Sequence, residues 1–574
     1  MDYKQEFKKW MESDIVDAAT KDELRAAESD DGLLREMFAG MLEFGTAGLR
    51  GKMRAGTNGM NVYTVRYATQ GMADLIHSCG EDIGGGVTIA YDSRNNSRLY
   101  AEEAAAVLAA NGIHSYIFDE LRPTPELSFA LRETGSIAGI NITASHNPKE
   151  YNGYKAYWSD GAQLPPEHAA QVSESMRKID IFDDVRTCDF TEAVKRGDIT
   201  VIGRDMDEKY IARVLEQSVG GKYVRQAADD FEVVYTPFHG AGYKLVPEVL
   251  TRLGIKHIIP VEEQMVPDGD FPTVKSPNPE NAEGFALAIA LAKEKDVDLV
   301  IGTDPDSDRC GCAVRAGSDY VIFTGNQIGV LLLDYLITMK REQGTLPENA
   351  AAVKSIVSTR MFDRICEMNG VTCVETLTGF KFIGEKIKEF LETGEYTFLF
   401  GFEESLGFLA GTYARDKDAV IAAMLLSEAA CYYRTKGMTL YDALMALYEK
   451  YGYYKELTTS VVFEGLEGKQ DMKDLMAGLR SEPPKEIGLP VTRIRDYQKG
   501  TITDISDRSE VPTGMGKSDV LFYELADGCA AVIRPSGTEP KIKLYVMACG
   551  QDAASSEKNF DAILSEGTKL LQKA

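Results

Sequence analysis

The chain has 574 residues, 44% of them hydrophobic and 26% charged, with a formal net charge of −26. That charge denies it the basic footprint that binding to nucleic acid or an anionic membrane requires, and no apolar run is long enough to span a bilayer. The length allows about four domains.

The first twenty residues mix Asp, Lys and Glu through their apolar positions, unlike a signal peptide, so a cytoplasmic location is expected. After this helical region the stretch 43–51, EFGTAGLRG, breaks the pattern. Its three glycines let backbone N–H groups approach a ligand, or they form a plain turn before a strand. Next come a strand at 87–91 closed by Asp92-Ser-Arg94, a helix at 100–110, a strand at 114–118, a helix at 125–133 and a strand at 137–142. This β-α-β-α-β order signals a parallel sheet. It returns at 233–235, 245–253, 257–260, 282–295 and 298–302, and again at 353–357, 361–369, 373–375, 382–393 and 396–400. Beyond Tyr454 short β-rich runs surround Val461, Val491, Leu521, Ala530 and 543–547, before a last helix at 553–571. The fold class is therefore α/β: three tandem related domains with mixed sheets and a smaller C-terminal α+β domain. The expected boundaries are 1–212, 213–325, 326–455 and 456–574. Nine cysteines are scattered singly apart from Cys310 and Cys312, which lack the second pair that zinc needs and are expected to be core thiols.

Each α/β unit places its unusual residues in the polar loop after its last strand, where ligands sit in open α/β sheets. The first loop, 143–148, reads TASHNP and offers the hydroxyl of Ser145. His146 invites a Ser-His dyad, but neighbouring side chains on a turn usually diverge, no third orienting group is visible, and the G-x-S-x-G elbow of serine hydrolases is missing. The second loop, 304–309, is DPDSDR. Alternating Asp304, Asp306 and Asp308 can converge on one hard cation, and oxygen-only ligation suits Mg²⁺. An EF-hand would need glycine and glutamate where Arg309 and Arg315 stand, so the competing reading is a solvated acidic turn. The third loop, 401–405, is GFEES, in which Glu403 and Ser405 can bind vicinal sugar hydroxyls or simply cap a helix.

Lys155 follows Ser145 by ten residues, close enough for a hairpin to return it, and a neighbouring cation would favour its unprotonated amine as a base. Thr378-Gly379-Phe380-Lys381 and Arg415-Asp416-Lys417 add cations near the third unit. The segment 534–541, RPSGTEPK, brings Arg534, Ser536, Gly537 and Thr538 together in a manner that suits a phosphate dianion, with a hairpin turn as the alternative.

These four motifs, in this order over nearly the whole chain, resemble those of the α-D-phosphohexomutase superfamily. GTAGLRG and the Thr-Gly-Phe-Lys stretch look most like the branch of bacterial phosphoglucomutases and phosphopentomutases. The resemblance implies a four-domain, heart-shaped monomer or weak homodimer acting on small sugar phosphates, without nucleic acid or membrane partners. Ser145 would carry a phosphoryl group and bind Mg²⁺ with Asp304, Asp306 and Asp308, and glucose 1,6-bisphosphate would be the intermediate. Lys155 is implied as acid/base, with His146 and Lys381 also plausible for proton transfer, and Arg50 and Arg309 would steady the phosphoryl. Thr378, Gly379, Lys381, Glu403, Ser405 and Lys417 would contact the sugar, and Arg534, Ser536, Gly537 and Thr538 its second phosphate. The expected reaction joins glucose 1-phosphate and glucose 6-phosphate. The alternatives are a pentose or mannose phosphate mutase, a Mg²⁺-dependent phosphatase and a non-catalytic sugar-phosphate sensor. The sequence departs from the family at Pro305, which leaves the ligands intact, and at Phe402, where many members carry glycine beside the sugar loop.

Overall fold

Short apolar runs closed by polar residues become strands. In the computed structural model, which describes residues 2–45, 48–82, 84–463, 468–536 and 541–572, they form four sheets distributed over two compact units. The first unit gathers the chain up to Phe323 with Gly384–Gly394 and Ser405–Thr439. The second gathers Thr324–Ile383, Glu395–Glu404 and the chain from Leu440 onward.

In the first unit, strands β1 (Leu49–Lys52), β2 (Val87–Tyr91), β3 (Ser115–Phe118), β4 (Ala138–Ile142), β5 (Tyr151–Trp158) and β6 (Ile199–Ile202) order as β1-β5-β4-β2-β3-β6. β2 lies between β4 and β3, parallel to both, and β5 returns antiparallel on β4. Every residue of β2 and β4 is buried, as expected for central strands covered on both faces. The stretch with three glycines runs into a strand, as one of its two readings had it: its end enters β1, which pairs antiparallel with β5 and sets Arg50 opposite Gly153. Trp10 ties the N-terminal helices to the helix Val62–Ser78 and to Phe182, standing edge-on to Phe38, Tyr63 and Phe182 at 5.8, 5.2 and 5.3 Å.

The second sheet repeats the plan. β7 (Glu232–Thr236) lies between β8 (His257–Pro260) and β9 (Leu299–Thr303), parallel to both, and β10 (Cys310–Ala316) returns antiparallel on β9 before β11 (Asp319–Ile322). Cys310 and Cys312 are wholly buried thiols in β10, as expected.

In the second unit, β12 (Ala350–Ser355) lies between β13 (Thr372–Thr376) and β14 (Thr397–Glu403), again parallel to both. Phe402 on β14 does not face the sugar loop's surface. Its ring is buried 4.9 Å from that of Phe362, and a Cβ on Gly329 would lie 2.5 Å from it. The departure at 402 is thus a core contact that Gly329 makes room for.

After β15 (Gly407–Leu409) of the first unit, the remaining strands belong to the second. They are β16 (Tyr453–Val462), β17 (Glu486–Ile487), β18 (Leu489–Asp496), β19 (Thr501–Asp504), β20 (Glu510–Pro512), β21 (Leu521–Leu525), β22 (Ala530–Pro535) and β23 (Lys541–Gly550). They form an antiparallel sheet, β16-β23-β22-β21-β18-β19-β20, backed by the helix Ala553–Gln572.

Glu456 on β16 accepts a hydrogen bond from the Thr359 hydroxyl. Burial pushes its carboxyl from 4.5 up to about 7, against the opposing pull of Thr359 and Lys354. The folded chain therefore binds this proton more tightly than the unfolded chain, so stability is lost as pH rises from the unfolded value through the folded one. Glu456→Gln keeps the acceptor and removes the titration. It should raise the urea midpoint by the equivalent of about 3 kcal/mol near pH 8, with most of the gain gone by about pH 5. An equal gain at both pH values would contradict the burial argument.

Candidate active site

β4 delivers the first loop. Ser145 at its head has a φ of 53°, a left-handed conformation, and its N–H donates to Thr143 Oγ1 at 2.8 Å. This turn aims its Oγ, which donates to Asp304 Oδ2 at 2.9 Å and lies 3.1 Å from His146 Nδ1. The Ser and His side chains, expected to diverge, therefore meet, because the positive φ at Ser145 swings the chain. Burial, reinforced by Arg309 and Arg50, pushes the His146 imidazole well below its ordinary value, so it is neutral at neutral pH.

β9 delivers the second loop. Asp304 Oδ1 accepts the N–H groups of Asp308 and Arg309 at 3.1 and 2.9 Å, so the loop winds round this carboxylate. Asp306 Oδ2 accepts from the Thr124 hydroxyl at 2.9 Å and from Lys155 Nζ at 2.7 Å. Asp308 Oδ2 takes Lys155 at 3.1 Å and Lys417 at 3.2 Å. All three aspartates are buried. One oxygen from each lies within 4.8 Å of the others, while Oδ1 of Asp306 and of Asp308 has no hydrogen-bond partner among the described residues. Buried carboxylate oxygens converging with unused acceptor capacity fit a hard divalent cation such as Mg²⁺. Burial and the charges of Asp306 and Asp308 push Asp304 well above the carboxylate range. Burial would do the same to Asp308, but Lys155, Lys417 and Arg309 outweigh it and hold Asp308 low.

Lys155 arrives by the expected hairpin, on β5 opposite Asn141 of β4. Its protonation differs from the expectation of an unprotonated amine. Burial lowers its proton affinity, yet Asp306 and Asp308 more than offset this and hold an ammonium. That expectation assumed a metal ion neutralising the same carboxylates. Lys417, expected at the sugar, bridges Asp308 and Asp416, the latter at 3.0 Å. Arg309 donates to the Ser405 carbonyl at 2.9 Å, and Arg50 donates to Asn147 Oδ1 at 3.3 Å.

The second unit holds the other motif residues. Glu403 is the last residue of β14 rather than part of a loop, and its Oε1 accepts the Gly379 N–H at 2.6 Å. Gly379 has a φ of 122°, which a side chain would strain. The buried Thr378 hydroxyl has no hydrogen-bond partner among the described residues, and Lys381 Nζ stands 4.9 Å from the Phe382 ring centre. Arg534 sits on β22 opposite Lys543, and the Ser536 N–H donates to the Lys541 carbonyl at 2.8 Å. Gly537 and Thr538 lie outside the described residues. Burial pushes the Tyr545 phenol up to about 12, with Glu404 and Glu403 adding to the effect and Arg534 opposing it, so both motifs act on this one phenol.

Two positioning groups escaped the sequence reading. Thr124 ties Asp306 down through its hydroxyl and N–H, and Arg94 grips the serine loop. Asp92-Ser-Arg94, which closes β2, was the only signal of the second.

Residues 41–181, 208–317 and 324–451 match the alpha/beta/alpha domains I, II and III of phosphoglucomutase/phosphomannomutase, and 486–560 match its C-terminal domain. The chain belongs to the phosphoglucomutase/phosphomannomutase family. It is 37% identical over 510 residues to a phosphoglucomutase of Staphylococcus saprophyticus, covering 88% of this chain and 90% of that protein. It is 38% identical over 528 residues to one of Staphylococcus epidermidis, covering 91% and 94%. Its fold resembles that of the phosphoglucomutase parafusin from Paramecium, solved in an open form, with a TM-score of 0.69 at 18% identity over 94% of this chain and 95% of that one. Among the described residues no helix is long and apolar enough to cross a membrane.

Proposed function

We propose that the protein is a cytoplasmic phosphoglucomutase, interconverting α-D-glucose 1-phosphate and glucose 6-phosphate through a phosphoserine at position 145 and glucose 1,6-bisphosphate. The supporting observation is the Ser145 hydroxyl 2.9 Å from a carboxylate of the buried aspartate triad. In the forward direction the phosphoryl leaves Ser145 Oγ for the sugar 6-hydroxyl, which gives up its proton. The bisphosphate then turns round, and the phosphoryl on carbon 1 moves to Ser145, leaving glucose 6-phosphate. Phosphoryl transfer depends mainly on alignment and charge neutralisation. Mg²⁺ held by Asp304, Asp306 and Asp308 supplies positive charge at the transferring group when bound.

Arg50 and Arg309 add cationic charge there. Neutral His146 accepts the Ser145 proton as the serine is phosphorylated and returns it when the phosphoryl leaves. Lys155, freed of its proton once Asp306 and Asp308 are neutralised by a bound cation, takes the proton of the 6-hydroxyl and gives it to the carbon 1 oxygen as the phosphoryl departs. Thr378, Gly379, Lys381, Glu403, Ser405 and Lys417 orient the sugar, while Arg534, Ser536, Gly537 and Thr538 hold the phosphate that is not reacting. These groups are carried on four domains, 1–212, 213–325, 326–455 and 456–574, of a monomer or weak homodimer.

Intact-protein mass spectrometry with Mg²⁺ and glucose 1,6-bisphosphate should show one added phosphoryl group that maps to Ser145, and glucose 1-phosphate should be the best of a panel of sugar 1-phosphates. Turnover of ribose 1-phosphate with negligible glucose 1-phosphate activity would overturn the substrate. Stoichiometric release of inorganic phosphate would make the protein a phosphatase.

A further inference from the structure

Arg94 is buried, and its two terminal nitrogens donate to one short stretch of chain. Nη2 donates to the carbonyls of Ser145 and Asn147 at 2.6 and 2.5 Å. Nη1 donates to those of Pro148 and Tyr151 at 2.9 and 3.0 Å, and Nε faces Asp92 Oδ2 at 3.2 Å. Asp92 is fixed in turn by the Arg94 N–H at 2.9 Å and the Ser97 hydroxyl at 2.7 Å. Four carbonyl groups converging on one point repel one another unless a forked cation lies between them, and only guanidinium has five donors in a fixed plane. Ser145 itself stands in a left-handed conformation, a state that persists only where the surroundings enforce it.

The other face of the guanidinium meets the second α/β domain of the same unit. The Phe271 ring centre lies 5.0 Å from its central carbon. Gly269, two residues earlier, packs so closely that a Cβ there would lie 2.3 Å from the Asn95 backbone nitrogen. Farther along the same segment the Ser276 hydroxyl donates to the His146 carbonyl at 3.1 Å. One segment, 269–276, therefore touches both Arg94 and the residue beside Ser145. It belongs to the domain that carries the aspartate triad.

We propose that Arg94 is a positioning residue for phosphoryl transfer: it holds the Ser145 loop through four of its carbonyls and, clasped by Gly269 and Phe271, sets the serine hydroxyl in register with Asp304. Arg94 touches neither the triad oxygens nor the hydroxyl, so it acts only through the loop. The proposal rests on Ser145 being the phosphoryl carrier.

A misplacement of about 1 Å at a reacting atom can cost roughly 10²-fold in rate. Arg94→Lys, which keeps the charge but loses the fork, should therefore lower kcat by about that factor while KM for glucose 1-phosphate stays within about threefold. The rate of Ser145 phosphorylation by glucose 1,6-bisphosphate, read by mass spectrometry, should fall in parallel. Arg94→Ala should regain rate when guanidinium chloride is added and not with methylammonium chloride. Gly269→Ala, which wedges the clasp against the Arg94–Asn95 backbone and leaves the guanidinium in place, should reproduce the kcat loss and decides the matter if the Arg94 variants do not fold. Near wild-type kcat in a folded Arg94→Lys or Gly269→Ala protein, or a loss confined to KM, overturns the positioning role. If the wild-type protein itself takes up no phosphoryl at Ser145, the carrier reading fails instead.

Discussion

Replacing Ser145 with alanine is expected to reduce mutase turnover by about 10⁴-fold or more, since a covalent carrier has no substitute once its oxygen is gone. The loss should come without unfolding. The Ser145 hydroxyl makes two side-chain contacts, with Asp304 and His146, while its loop is held by backbone groups that alanine retains, including the carbonyl on Arg94. Alanine in the left-handed region carries much the same backbone cost as serine. The thermal midpoint of Ser145→Ala should therefore stay within a few degrees of wild type, the shift expected for less than about 1 kcal/mol in a chain of this size. In parallel, glucose 1,6-bisphosphate should add one phosphoryl group to the wild-type mass and none to the variant. Near-normal turnover by Ser145→Ala would remove the serine from the mechanism.

The parts legible in the sequence were those written in contiguous patterns. β4 could be read because 137–142 is an unbroken apolar run ending in polar residues, and the threefold β-α-β-α-β order could be read because each unit repeats it. The aspartates were legible because alternation on a short loop leaves few other uses for three carboxylates. Contacts between distant residues were not. Lys417 meets Asp308 through a fold that returns Ser405–Thr439 to the first unit after the chain has left it, and no local pattern announces that return. The Ser145–His146 contact depends on one positive φ that serine does not advertise, since non-glycine residues enter that region only when forced. Arg94 was hidden for a different reason. Its partners are mainly main-chain carbonyls, which every residue type supplies, so its role leaves no mark on the composition of the loop it holds. Phe402 looked like a change beside the sugar because the space that receives its ring is made by Gly329 on another element.

Addition of Mg²⁺ to chelator-treated protein is expected to raise the thermal midpoint, and Asp304→Asn should abolish that rise together with activity. Without an ion, Lys155 and Lys417 pair with Asp306 and Asp308 only, and the third buried carboxylate, Asp304, has its proton affinity raised by burial and by the charges of the other two. A folded value above the unfolded one means that this group costs the metal-free protein stability, and the loss grows as pH rises from the unfolded value through the folded one. Mg²⁺ competes with that proton, so its stabilising effect should increase with pH over the same range. At a concentration about 100 times its dissociation constant, the ion contributes about 2.7 kcal/mol through mass action alone.

Asparagine at 304 keeps an oxygen for the N–H groups of Asp308 and Arg309 and removes the repelled charge. The metal-free variant should therefore unfold at or above the midpoint of the metal-free wild type near pH 8, although it has lost a ligand. Its turnover should fall by roughly 10²-fold or more, the rate equivalent of several kcal/mol of charge stabilisation. Scanning calorimetry in chelator and then in millimolar Mg²⁺, near pH 6 and pH 8, separates these effects. A Mg²⁺-dependent rise of equal size in wild type and Asp304→Asn would place the ion elsewhere. A lower midpoint for the metal-free variant would mean that the three carboxylates are not in conflict when the ion is absent.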